Sequence, residues 1–171
     1  MITIRAEQPA DAPRVRTVNE LAFGQPAEAN LVEKLRRACD DRLSLVAEEQ
    51  GLVVGHILFT PVAVEGEERS VGGMGLAPMA VLPDRQRQGI GSALVLEGLA
   101  MLRAGGCPFV VVVGHPQFYP RFGFEPARRH GLESQWPGIP DDAFMVLVLD
   151  PRALTGLSGV ARYRDEFNEV E

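Results

Sequence analysis

Gln86-Arg87-Gln88-Gly89-Ile90-Gly91-Ser92 is the stretch whose residue types and spacing point most directly to chemistry. It follows a strand-like run, Met79-Ala80-Val81-Leu82-Pro83, and opens a helix-like run that continues through Ser92-Ala93-Leu94-Val95-Leu96. The first turn of a helix presents unpaired N–H groups, and its dipole favours negative charge. Glycines let the chain turn sharply and let a ligand approach the backbone. The expectation is an anion site, for phosphate or pyrophosphate. An ordinary strand-to-helix turn that needed small residues is the competing reading. A Walker loop is excluded, because Gly91 is followed by Ser92 with no lysine. A dinucleotide fingerprint is excluded too, because Leu94 stands where its third glycine belongs.

The pattern Gln-x-x-Gly-Ile-Gly after a strand ending in Val-Leu-Pro closely resembles the acyl-CoA loop of the GNAT acetyltransferase superfamily. Downstream, Pro108 to Gly114 is similar to that family's next strand, and Tyr119-Pro120-Arg121-Phe122-Gly123-Phe124 resembles its Tyr-x-x-x-Gly-Phe signature. The strong part of the resemblance runs from about Gly75 to Ala127, with Pro120 an unusual residue inside the second motif.

The resemblance implies an N-acetyltransferase that moves an acetyl group from acetyl-CoA to a primary amine of a small molecule or an exposed amino group. It implies direct attack of the amine on the thioester. The backbone of Met79, Ala80 and Val81 would pair with the pantetheine arm, as a peptide adds to a sheet edge. The N–H of Val81 or a neighbour would polarise the thioester oxygen. Gln86, Arg87, Gln88, Gly89, Ile90, Gly91 and Ser92 would hold the pyrophosphate. Tyr119 and Phe122 would border the cofactor, and the Tyr119 phenol, protonated at neutral pH, would return a proton to the departing thiolate. Two rival readings stay open: a non-catalytic acyl-CoA-binding or sensing module, and an acyltransferase with a different acyl donor or acceptor. The residues single out no general base. Glu20, Glu28 and His115 are candidates, whereas His56, inside a strand, reads as structural. No set of His, Cys, Asp or Glu has metal-ligand spacing, so no metal is expected.

Composition narrows the class. The 171 residues carry a formal net charge of −6, with 46% hydrophobic and 23% charged residues. That balance suits a globular enzyme with one sizeable core. It argues against a nucleic-acid partner, which needs a basic footprint. Arg85 and Arg87 are expected to supply local positive charge beside the loop. No apolar run has the ~20 residues that span a bilayer, and the first residues lack a signal-peptide layout. A cytoplasmic protein without a membrane partner is expected, and a homodimer fits the resemblance. Cys39 and Cys107 are expected to be reduced, packed thiols.

These residues must be held by a scaffold that the periodicity partly reveals. Ile2–Arg5 alternates as a strand, followed by helices over Pro9–Phe23 and Pro26–Ala38. Leu43–Ala47 and Leu52–Val64 form a hairpin, and Gly75–Leu82 is the strand before the loop. The helix Ser92–Ala104 should be mostly buried, with Leu96 and Met101 widening its packing face. Pro108–Val113 reads as a buried strand and Gln117–Phe122 as a short helix. Arg128–Asp142 reads as a loop, Phe144–Leu149 as the last core strand, and 151–171 as a polar tail. The expected fold is one mixed α/β domain over residues 1–171, its core about 2–150, with the order β-α-α-β-β-β-α-β-α-β. By resemblance this is the GNAT fold, a central, mostly antiparallel sheet flanked by helices.

Overall fold

The computed structural model describes Met1–Glu169. The chain divides into two compact units. The first holds Met1–Phe59, Ala77–Ala100 and the residues from Asp165 on; the second holds Thr60–Leu76 and Met101–Arg164. Strands β3 (Leu52–Glu65) and β4 (Ser70–Val81) and helix α3 (Ile90–Ala104) contribute residues to both.

In the first unit, β1 (Ile2–Ala6) runs antiparallel to β2 (Leu43–Glu49), and β2 runs antiparallel to β3. The β2–β3 turn is tight because Gln50 and Gly51 both take positive φ, 52° and 80°. Helices α1 (Ala12–Phe23) and α2 (Ala27–Ala38) lie between β1 and β2 in the chain. Gly24, at φ 69°, ends α1, its N–H donating to the Glu20 carbonyl. Apolar residues at helical spacing anchor both helices: Val15 and Val18 in α1, and Leu31, Val32 and Leu35 in α2, all buried.

A chain of buried polar groups fastens these helices to the sheet. His56 on β3 is fully buried, its Nδ1 3.2 Å from Asn19 Nδ2 on α1 and its Nε2 3.0 Å from Ser44 Oγ on β2. Asn19 Nδ2 also donates to the Val15 carbonyl. The imidazole therefore accepts at Nδ1 and donates at Nε2. The Ser44 hydroxyl passes the chain on to Glu7 Oε1 at 2.8 Å, and Arg36 of α2 donates to Glu7 Oε2 at 2.6 Å. The structural part assigned to His56 is thus borne out. α3 packs on residues of the alternate parity: a Cβ at Gly55 would stand 3.1 Å from Ile90 Cγ2 and 3.2 Å from Leu94 Cδ1, and one at Gly98 would run into the Phe59 ring. Successive strand residues face opposite sides, so helices flank both faces of this half of the sheet.

In the second unit, β5 (Phe109–Val113) lies parallel to β4, with Met74 opposite Val110 and Gly75 opposite Val111. β8 (Phe144–Val148) is antiparallel to β5, and the short β6 (Glu125–Pro126) adds to β8. Phe109 to Val112 of β5 are almost fully buried. The mixed, mostly antiparallel sheet flanked by helices is the fold class expected.

Four local expectations need correction. The supposed polar tail contains β9 (Gly159–Arg162), antiparallel to the end of β3 and parallel to β7 (Leu132–Ser134). Leu154, Leu157, Ala161 and Tyr163 of that segment are buried. Only a long-range partner makes so short a run a strand, so its own composition was a poor guide. For the same reason Arg128–Asp142 is not merely a loop, since it includes β7. The helix expected after β5 is a single 3-10 turn, Tyr119–Phe122. Finally, Leu96 and Met101 of α3 are 57% and 42% exposed. They lie off the stripe that packs on the sheet, and hydrophobicity alone did not bury them.

Candidate functional site

The loop that opens α3 is built from the end of β4 forward, within the Ala77–Ala100 stretch of the first unit. Ala80 is buried, while Met79 and Val81 on either side of it are partly exposed. The strand ends where the Leu82 N–H bonds the Val54 carbonyl of β3 at 2.9 Å. A 3-10 turn, Pro83–Arg85, follows, with proline at its start, where a missing N–H is harmless. Arg87 and Gly89 then take positive φ, 64° and 85°. That region suits glycine and strains an arginine, so the loop is held by its surroundings as well as by its own preferences. Ile90, almost fully buried against Gly55, seats the first helical residue.

The first helical hydrogen bond of α3 runs from the Ala93 N–H to the Gly89 carbonyl at 3.0 Å. The N–H groups of Ile90, Gly91 and Ser92 precede it and have no intrahelical acceptor. They lie at the positive end of a fifteen-residue helix. Gln86, Arg87, Gln88 and Gly89 are all exposed, so their backbone is open to a ligand. These features suit an anion held by main-chain donors. Arg85 plays a different part from the one expected: its Nε donates to Glu49 Oε1 at 2.6 Å and its NH1 lies 3.5 Å from Asp84 Oδ2. The charge anchors the loop to the end of β2. Arg87 makes no hydrogen bond or ion pair among the described residues.

The second motif lies in the other unit. β5 ends at Val113, which is 41% exposed, and the chain turns at Gly114. The His115 carbonyl accepts the N–H groups of Phe118 and Tyr119. Pro120 sits in the first turn of the 3-10 helix, which its ring tolerates, and Gly123 closes that helix at φ 100°. The Tyr119 ring stands against Gly114, so closely that a Cβ there would overlap it. Phe118 and Phe124 meet the ring edge-to-face at centroid distances of 5.0 and 5.7 Å. Burial pushes the Tyr119 phenol up to about 12, so it carries its proton throughout the neutral range. Phe122 packs on Phe118 at 5.1 Å, and the Arg121 guanidinium lies 5.0 Å from the Phe118 centroid.

Of the candidate bases, Glu20 pairs with Arg16 at 3.3 Å, Glu28 accepts from the Gln25 amide, and His115 is exposed. Nothing in their surroundings singles one out. Sequence reasoning missed Tyr163, which follows β9. It is buried, its ring tilted against Trp136 at a centroid distance of 4.8 Å, with its N–H held by Gln135 Oε1 at 2.6 Å. Its ring covers Gly75 of β4, where a Cβ would stand 2.8 Å from Cε2. Burial, and then the charge Tyr119 would carry if ionised, hold the Tyr163 phenol above its ordinary value. The alternation in Gly159-Val160-Ala161-Arg162-Tyr163 was the signal that could have revealed this strand.

Residues 3–127 match the family model of the acetyltransferase (GNAT) domain. The chain belongs to the GNAT family. It is 42% identical over 166 residues to the uncharacterized N-acetyltransferase YhbS of Escherichia coli K12, covering 96% of this chain and 98% of that one. It is 40% identical over 162 residues to the uncharacterized N-acetyltransferase YjhQ of the same strain, covering 90% and 89%. Among solved structures, YhbS of Escherichia coli in complex with CoA superposes with a TM-score of 0.89 at 39% identity, over 98% of this chain and 92% of the other. A GNAT acetyltransferase of Brucella melitensis in complex with acetyl-CoA gives 0.79 at 38%, over 98% of both. The GNAT resemblance, the fold and an acyltransferase activity are therefore borne out. Among the described residues no cluster of His, Cys, Asp or Glu is arranged to hold a metal, and no helix is long and apolar enough to cross a membrane.

Proposed function

We propose that this GNAT enzyme transfers an acetyl group from acetyl-CoA to a primary amine, carried by a small molecule or by an exposed amino group. The observation that carries the donor assignment is the α3 entrance. Three N–H groups precede the Ala93–Gly89 hydrogen bond at the end of a loop whose backbone is exposed. The relatives solved with CoA and acetyl-CoA, both nearly 40% identical, support the same donor. Gln86 to Ser92 bind the pyrophosphate through the main chain. Met79, Ala80 and Val81 offer backbone to the pantetheine arm, and Met79 and Val81 are the partly exposed pair among them. The Val81 N–H polarises the thioester carbonyl. Positioning of this kind supplies much of the acceleration in acyl transfer.

Tyr119 is the proton donor to the departing thiolate in this reading, with Phe122 bordering the cofactor. Its burial keeps the phenol protonated across the neutral range, which is the form a proton donor must have when the thiolate leaves. The acceptor amine arrives neutral, and no side chain is assigned as its base. The chain is read as one catalytic domain, cytoplasmic and able to pair as a homodimer, with no nucleic-acid or membrane partner.

A calorimetric titration with CoA, followed by thiol release from acetyl-CoA across a panel of primary amines, tests the assignment. Binding with turnover on at least one amine is expected. Tight CoA binding without turnover on any amine would favour a sensing module. Faster release from a longer acyl-CoA would replace acetyl as the donor group. Gly89→Val, which forces a β-branched residue to φ 85°, is expected to weaken CoA binding at least about tenfold.

A further inference from the structure

Three polar side chains around the loop turn back onto the protein. Arg85 is spent on Glu49 and Asp84, and Gln88 Nε2 reaches the Asp84 carbonyl at 3.4 Å. Gln86 is the one that reaches back to β4: its Nε2 donates to the Val81 carbonyl at 3.1 Å. That carbonyl shares a rigid peptide plane with the Leu82 N–H. The same N–H donates to the Val54 carbonyl of β3 at 2.9 Å. The plane is therefore gripped at both ends, by β3 on the nitrogen and by the loop on the oxygen. Fixing it limits the rotation of Val81 and joins the strand end to the loop five residues on.

We propose that Gln86 is a positioning residue whose side-chain amide clamps the Val81 carbonyl, so that the backbone facing the acyl end of acetyl-CoA and the loop facing its pyrophosphate act as one rigid piece. The inference rests on the loop being the pyrophosphate site, and it gives the Gln86 side chain a role distinct from phosphate contact. A glutamine suits that role. It is long enough to span the turn, and it donates without adding a charge that would compete with main-chain recognition. The clamp also explains how an exposed loop keeps Arg87 at φ 64° without a side-chain partner to hold it there.

The test separates the two ends of the ligand. Acetyl-CoA and 3′-phospho-ADP, which carries the pyrophosphate but no pantetheine, are titrated calorimetrically into the wild type, Gln86→Met and Gln86→Leu. Both variants remove the donor without adding a charge. Because Gln86 is exposed, both should stay folded, which circular dichroism checks. Loss of one hydrogen bond should weaken acetyl-CoA roughly three- to tenfold, with 3′-phospho-ADP changed less than about twofold. Faster amide hydrogen exchange around Val81 and Leu82 should accompany it. Equal weakening of both ligands would place Gln86 on the phosphate and overturn the proposal. Unchanged binding of both would show that the clamp does nothing, which also overturns it. Failure of the wild type to bind either ligand would instead remove the pyrophosphate reading itself, and it would be seen before any variant is made.

Discussion

Acidification should destabilise this protein through a single buried imidazole. Burial lowers His56 from 6.5 to about 4, while the Glu7 carboxylate opposes the shift and the Arg36 guanidinium reinforces it. In the folded chain Nδ1 accepts from Asn19, so a proton added there would face a donor. In the unfolded chain the same imidazole takes up its proton near 6.5. Between these values the unfolded state binds more protons than the folded one, so stability falls as pH falls. Stabilisation by the neutral imidazole is complete above about 6.5 and lost by about 4. Each pH step of one between those values is worth about 1.4 kcal/mol, so the loss across the window is about 3 kcal/mol. That is a large share of a typical domain's total stability, about 5–15 kcal/mol. The Asp11 carboxyl, lowered chiefly by its hydrogen bond from Arg5, loses its own contribution at lower pH and leaves the window to His56. Urea denaturation of the wild type and of His56→Gln, at intervals from pH 7 to pH 4.5, measures the effect. The variant should start less stable at pH 7 and lose less on acidification. A wild-type stability that is flat over this range, or an equal slope in His56→Gln, would refute the reasoning. So would an imidazole that titrates near 6.5 in the folded protein by NMR.

Three further outcomes follow from single contacts. Tyr119→Phe should lower kcat by about a hundredfold or more while leaving the KM for acetyl-CoA nearly unchanged, because only the proton donor is removed; steady-state kinetics with any accepted amine decide this, and an unchanged kcat would remove the acid role. Gly98→Ala should destabilise by about 1–3 kcal/mol, since the added methyl meets the buried Phe59 ring. Its thermal midpoint is the measurement, and a midpoint equal to wild type would count against the packing of α3 on β3. Leu157→Ala should cost about 2–5 kcal/mol in denaturant unfolding, because Leu157 is 6% exposed and packs as core, not as tail.

Legibility in the sequence varied with the range of the interactions. The helices were readable because their apolar residues recur at helical spacing within one segment: Val15 and Val18, then Leu31 and Leu35. The hairpin was readable from its turn residues, Gln50 and Gly51. β7 and β9 were not readable, because each is short and owes its strand character to partners distant in the chain. Leu96 and Met101 misled for a related reason. Their hydrophobicity was visible, but which face of α3 met the sheet depended on Gly55 and Gly98 making room for it.

The candidate site divides in the same way. From the sequence alone came the loop, a contiguous glycine-bearing strand-to-helix turn that carries its geometry locally, and, through the family resemblance, the Tyr119 motif. The tertiary structure decided what the side chains around them do. Arg85, expected as free positive charge, is tied to Glu49 of β2; Gln86 is turned onto Val81; Tyr119 is buried against Gly114 and its aromatic neighbours. Backbone donors at a helix start need only local sequence, whereas hydrogen-bond partners and burial depend on which distant residues the fold brings near.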